Sequence, residues 1–321
     1  MTNYKNVRYN FPAVTLSGAT ESSPAEGDIW YDSGKFYLGT SQSFAGAWSS
    51  GGNLATARRI LAGCGTQTAG LCMGGYTSSN SNVTEEYNGT SWSSGGGLGT
   101  ARRALSAAGT QSAGLSMGGD SMGDVTEEYN GTAWASGGNL ITGKEHSAGA
   151  GTQSAGLCIA GTDVSTEEYN GTSWSAGGSI SANRTEGAGC GTQSAALYAG
   201  GYKTSPAGLS VVTEEYNGTS WSSGGNLGTA RQYVPGAGTQ SAALCMGGYA
   251  GGYSNVTEEY DGTSWSSGGN LATARDNLGG AGTQSAGLCM GGNSGSNSNV
   301  TEEYTAGTGS YDELFNTSQG L

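Results

Sequence analysis

The sequence predicts an all-β fold assembled from six copies of one short unit. The string TEEYNG, or a close variant, comes round six times and places tyrosines at Tyr87, Tyr129, Tyr169, Tyr216, Tyr260 and Tyr304, 40–47 residues apart. Tryptophans keep a matching register at Trp48, Trp92, Trp134, Trp174, Trp221 and Trp265. Every apolar stretch between them is short, bounded by Gly, Asn or Ser, and free of 3.6-residue spacing. A period of this length marks an array of supersecondary units, none of which buries its own faces alone.

One unit, Thr56 to Leu98, shows the elements in order. TARRILAGCGTQ begins basic and turns small and apolar, which predicts strand a over about Arg59–Gly65. TAGLCMGGY gives strand b, about Ala69–Gly74. A variable stretch follows, then NVTEEY as strand c (about Val83–Tyr87) and SWSS as strand d (about Ser91–Ser94). Asn88-Gly89 between c and d predicts a two-residue hairpin with both residues at positive φ. The pair recurs at Asn130-Gly131, Asn170-Gly171 and Asn217-Gly218, with Asp261-Gly262 once. These residues also spell Asn-Gly-Thr, a glycosylation acceptor. Asp261 keeps the turn and destroys the acceptor, so the repeat preserves the turn.

Counting strands predicts how the array ends. Trp48 opens the tryptophan series with no basic strand-a segment before it. Arg275 to Tyr304 supplies strands a, b and c with no tryptophan after it. The orphan strand at Ala45–Ser49 is therefore expected to complete the last sheet, which removes an exposed edge.

Composition sets bounds. Apolar content is 35% and net charge −13, which alone resembles disorder. Fixed repetition of Trp, Tyr and Gly-Gly argues against that. With 12 Lys and Arg against 25 Asp and Glu, nucleic acid is a disfavoured partner. MTNYKNVRYNFPAVTLSG has no apolar core of a secretory signal, and no apolar run is long enough to span a bilayer, so no membrane insertion is expected. Cys72, Cys158, Cys245 and Cys289 share one repeat position, filled by Ser116 and Tyr198 elsewhere; Cys64 and Cys190 share another. Equivalent positions in separate units lie too far apart to bridge, so six reduced, buried thiols are expected.

A basic residue, a small-residue strand, a double glycine, a tyrosine and a tryptophan in this order resemble the kelch repeat. Here they are Arg58, Gly74-Gly75, Tyr87 and Trp92, then Arg102, Gly118-Gly119, Tyr129 and Trp134, and so on through the chain. Lys144 and Ala160-Gly161 depart mildly from the pattern. The resemblance covers roughly residues 44–304 and implies a six-bladed β-propeller closed by strand exchange. The wording of the repeats also resembles kelch-like proteins of marine bacteriophages. PAEGDIWYDSGKFYLGT (Pro24–Thr40) is similar to a hairpin common in phage tail-fibre proteins. The resulting division is an arm over 1–43 for virion attachment, a propeller over 44–304 and a tail over 305–321.

Paired carboxylates (Glu85-Glu86 and its five counterparts) could serve acid–base work on a glycan. Neighbours on a strand point to opposite faces, however, and six identical sites suit salt bridges to the recurrent basic residues better. His146 is the sole histidine and reads as incidental; it argues against a copper oxidase, which some kelch-like propellers resemble. DSMGD (120–124) lacks EF-hand spacing, so no metal and no cofactor are expected. Variation concentrates in the b–c loops: 76–82, 120–124, 162–165, 202–211, 249–255 and 293–299. Their Tyr, Ser, Asn and Gly composition suits adaptable binding. The candidate binding residues are Tyr76, Asp120, Tyr202, Lys203, Tyr249 and Tyr253.

The expectation is a non-enzymatic structural protein of a phage virion, made in the host cytoplasm. It would sit in a tail fibre or on the particle surface and present a binding face for host attachment. Its expected partners are other virion proteins, a host surface glycan or protein, and further copies of itself. The alternatives are a capsid decoration protein without a receptor role and a glycan-active propeller enzyme. An enzyme would need a cluster of unlike polar residues at one site, which the repeats do not suggest.

Overall fold

The computed structural model describes residues 29–32, 35–39, 46–120, 123–307 and 311–316. All regular structure among them is β, in six four-stranded and two three-stranded antiparallel sheets. No described helix is long and apolar enough to cross a membrane. Two compact units emerge, residues 45–306 and a smaller one from 1–44 with 307–321. In the smaller unit, Ile29–Asp32 and Lys35–Gly39 form the expected hairpin. Tyr311–Asn316 pairs with Lys35–Gly39, so segments read separately as arm and tail share a sheet. Residues 1–28 of the arm and 317–321 of the tail lie outside the described residues.

Each four-stranded sheet holds strands a to d in order, and the array is of the β-propeller kind. In the first sheet the strands are Ala62–Thr66, Ala69–Met73, Thr84–Tyr87 and Trp92–Ser94. In the last, Gly279–Gly282, Ala286–Met290 and Thr301–Thr305 are completed by Ala47–Ser50 from the other end of the unit, with Trp48 opposite Tyr304. Each strand a lies against the next, and Gly279–Gly282 returns to Ala62–Thr66. Small residues permit this crowding. A Cβ on Gly149 would stand 2.2 Å from the carbonyl oxygen of Ala107 in the preceding sheet.

Strand a begins later than expected, because Arg58 and Arg59 lie before it. Arg58 donates its N–H to Ser298 O of the last sheet, while its guanidinium donates to Gly74 O, Val83 O and Glu85 Oε1 of the first. Backbone and side chain thus grip different sheets. Arg102, Arg231 and Arg275 repeat the arrangement with Glu127, Glu258 and Glu302, and Arg184 repeats its side-chain half with Glu214, at 2.6–2.8 Å. Lys144 breaks the pattern and pairs with Asp163 at 2.7 Å. A lysine lacks the planar fork that reaches two carbonyls and a carboxylate together.

The second glutamate of each TEEY has another partner. Tyr129 donates its O–H to Glu86, Tyr169 to Glu128, Tyr216 to Glu168, Tyr260 to Glu215, Tyr304 to Glu259 and Tyr87 to Glu303. Each tyrosine is at most 1% exposed and packs on the tryptophan opposite it, with centroids 4.9–5.0 Å apart. Each indole N–H then reaches the TEEY threonine of the preceding sheet, as Trp92 does to Thr301. Glutamines of the a–b turns add a further tie: Gln111 donates to Gly70 O and Tyr87 O across the same junction.

The c–d link differs from the expected turn. It spans four residues between the paired Tyr87 and Trp92, and within it only Gly89 is left-handed, at φ 87°. Asn88 instead accepts the N–H groups of Thr90 and Ser91 on its side-chain oxygen, at 3.0 and 2.9 Å. Asp261 does the same for Thr263 and Ser264, which explains why Asp substitutes for Asn. All six cysteines are free and buried.

Candidate functional site

Every strand a is entered through a basic residue followed by two residues of unequal character. The first of these positions holds Arg59, Arg103, Glu145, Thr185, Gln232 and Asp276. The second holds Ile60, Ala104, His146, Glu186, Tyr233 and Asn277. All six residues of the second set have left-handed φ, from 54° to 65°, a conformation that ordinary side chains rarely adopt. Backbone bonds around the centre account for it. Ala104 donates its N–H to Ile60 O, His146 to Ala104 O, Glu186 to His146 O, and Ile60 to Asn277 O. The turn that aims each N–H at its neighbour also aims each side chain at a common mouth.

That mouth is a cavity of about 130 Å³ where the six inner strands begin. Ile60, Leu61, Ala104 and Leu105 form an apolar side. His146, Glu186, Tyr233 and Asn277 form a polar one. His146 Nδ1 stands 3.6 Å from Glu186 Oε1, beyond hydrogen-bond reach. Tyr233 lies beside Glu186. Burial raises the Glu186 carboxyl to about 7, with Tyr233 opposing the rise and Asp276 adding to it. The same burial pushes Tyr233 up to about 12 and lowers His146 below its usual value. Asp276 is 5% exposed, and its Oδ1 has no hydrogen-bond partner. Among the described residues no three His, Cys, Asp or Glu side chains are placed to hold a metal ion.

Four of the candidate binding residues read from the loops, Tyr76, Asp120, Tyr202 and Tyr249, contact the residues that immediately precede the mouth residues. Tyr76 bridges Arg59 and lies beneath the guanidinium groups of Arg59 and Arg103, 5.3 and 4.9 Å from its centroid. Asp120 forms an ion pair with Arg103 at 2.9 Å, so the structure brings Tyr76 and Asp120 together through one arginine. Tyr202 and Lys203 lie in a short strand, Tyr202–Thr204, paired with Arg184–Thr185 and turning back into Ala207–Leu209. The longest loop is thus itself a hairpin. Tyr249 bridges Gln232 and Tyr253, and Tyr253 is 45% exposed with its hydroxyl near Asn293 Nδ2. Within the loop 120–124, Ser121 and Met122 lie outside the described residues.

His146 lies at the ring position that differs in every unit, and the sequence reading of a chain without converging polar residues needs correction. Unlike polar residues do converge at one site. The signal was in the column two residues after each basic residue, where six units carry six residue types. Comparison of loop lengths alone passed over it, because this column has no insertions.

No protein-family model matches the chain, and no curated protein matches it either.

Proposed function

We propose that residues 44–304 form a six-bladed, kelch-like propeller closed by exchange of the strand at Trp48. In this reading the chain is a non-enzymatic recognition protein of a virion surface or tail fibre. The kelch order of Arg, Gly-Gly, Tyr and Trp supports the fold, together with the pairing of Trp48 with Tyr304. One observation carries the recognition role. Units that repeat nearly verbatim at the a–b and c–d turns diverge at one end only, in the b–c loops and the mouth residues. Packing alone gives no reason for six residue types at six equivalent ring positions. The virion setting rests on the resemblance of the repeats and of Pro24–Thr40 to phage proteins.

The test is to locate the chain in purified particles by mass spectrometry and imaging, with antibody to the loop end applied before host adsorption. Presence on the particle and blocked adsorption are the expected results. Presence without any block would leave the decoration role, and absence from particles would remove the virion reading. The His146–Glu186–Tyr233 cluster favours one second reading, a glycan-active enzyme with Glu186 as proton donor. Turnover of a glycan panel that Glu186→Gln abolishes would establish it over the first.

A further inference from the structure

This chain pairs its buried charges with consistency. Five first glutamates of TEEY meet an arginine at 2.6–3.1 Å, with both partners nearly inaccessible. Leaving a carboxylate buried without a cation or donors is costly, which is why such pairing recurs. Two carboxyls depart from it, Glu186 in the lining of the central mouth and Asp276 next to the lining residue Asn277. Glu186 has Tyr233 beside it and His146 Nδ1 3.6 Å away, an imidazole whose pKa burial lowers. Asp276 is 5% exposed and leaves Oδ1 without any partner. The two carboxyls are close enough to affect one another electrostatically.

The available cations are committed elsewhere. Arg103 pairs with Asp120. Arg275, next to Asp276 in sequence, spends its guanidinium on Gly291 O, Val300 O and Glu302. Arg59 stacks on Tyr76. Among the described residues no lysine or arginine pairs with Glu186 or Asp276, and the opposite side of the mouth offers Ile60 and Ala104 to an apolar body.

We propose that the mouth binds an organic cation, an ammonium or guanidinium group on a short apolar stem, beside Glu186 and Tyr233, with Asp276 adding negative charge from outside the cavity lining. The cavity of about 130 Å³ has room for such a group. The ring of Tyr233 adds a face for the cation, and the His146 ring, 6.1 Å away and edge-on, closes that side. The group could belong to a free amine or to a lysine or arginine side chain of a partner protein. The proposal takes the loop end as the recognition face for its setting, but the cavity accepts the cation or refuses it wherever the protein resides.

The experiment uses the full chain and its sole histidine as reporter, since His146 gives one imidazole signal in a proton spectrum. The probes are n-butylamine, agmatine, a short blocked peptide with one lysine, and n-butanol as the neutral isostere. Saturable displacement of the His146 signal by a cationic probe, about tenfold weaker in Glu186→Gln and in Asp276→Asn, is the expected result. Binding should weaken as pH falls and Glu186 takes up its proton, with His146, Tyr233 and Asp276 facing it and Glu145, Arg103 and Asp120 facing His146. Preference for the amine or for the peptide distinguishes the two sources. No saturable shift, equal binding of n-butanol, or parental affinity in both folded variants would overturn the proposal. Should one variant fail to fold, the cation-to-alcohol comparison in the parent decides alone. Failure here leaves adsorption through the outer loops intact, so the two readings fall separately.

Discussion

Tyr87 donates its phenolic hydrogen to Oε1 of Glu303 at 2.5 Å, across 216 residues of chain. The same bond joins each sheet to the one before it, so the junction between the first and last sheets is built like the other five. Tyr87→Phe removes the donor and leaves a partly buried carboxylate short of a partner. The expected cost is about 1.5–3 kcal/mol, the range for a hydrogen bond to a charged group. Urea unfolding of Tyr87→Phe beside Tyr129→Phe checks it. Equal losses are expected; a loss in Tyr129→Phe alone would mean that the ends are not joined in this way.

Arg231 and Lys144 occupy the same repeat position with different partners. Arg231→Ala leaves Glu258, 4% exposed, without its cation, and should cost about 3–5 kcal/mol. Lys144→Ala frees Asp163, whose side chain is 38% exposed and can return to water, so its cost should be clearly smaller. Denaturant midpoints of the two variants, compared at one pH, give the order.

Six buried thiols make a chemical prediction. Burial pushes Cys64, Cys190 and Cys289 up to about 12 and Cys72 and Cys245 to about 11, so little reactive thiolate exists near neutrality. A thiol reagent at mildly alkaline pH should label almost none in the native protein and six in denaturant. Fast labelling of any native thiol would contradict the burial.

Glu186 gives the stability a definite pH dependence. Burial holds its carboxyl at about 7 in the folded chain, above the usual glutamate value of 4.5. The unfolded chain therefore releases this proton first, and the group's contribution to stability falls as pH rises through that window. His146, lowered by burial, acts in the opposite sense, which is why parent and variant must be compared. Glu186→Gln should gain in melting temperature relative to the parent between mildly acid and mildly alkaline pH. A difference that stays flat across the window would show that Glu186 is not held in a desolvated state.

What the sequence revealed followed from how often a feature was repeated. TEEY and Trp recur six times and the double glycine after strand b five, so strand order and the pairing of Trp48 with Tyr304 could be inferred by counting. The c–d turn was misread because Asn88 acts through its side-chain oxygen, which dipeptide statistics for tight hairpins do not capture. The Gln of GTQ was equally regular and yet passed unread, since its partners belong to another unit. The mouth was hidden for a different reason. Its residues share a location and a backbone conformation but no residue type, and only three-dimensional convergence makes them a site. Tyr198 illustrates the same limit: it fills space left by Gly187, whose added Cβ would lie 2.7 Å from its ring, a compensation invisible in either residue alone.

Recognition through the outer loops can be separated from recognition at the mouth. Tyr202, Lys203, Tyr249 and Tyr253 are the aromatics and the one lysine of the loops 202–211 and 249–255. Tyr253 stands out among them as an exposed aromatic, and such residues carry much of an interface's energy. None of the four lines the mouth cavity. Their joint replacement by alanine should therefore spare cation binding at Glu186 while reducing host adsorption by about tenfold or more, if attachment uses these loops. Adsorption and particle assembly are measured together, with a chain lacking residues 1–43 as the comparison. Unchanged adsorption by the loop variant, with incorporation abolished by the deletion, would mark the protein as decoration and end the receptor reading. Reduced adsorption with normal incorporation would place attachment on this face, because the substituted side chains lie outside the recurrent Arg–Glu, Tyr–Glu and Trp–Thr bonds that hold the repeats together.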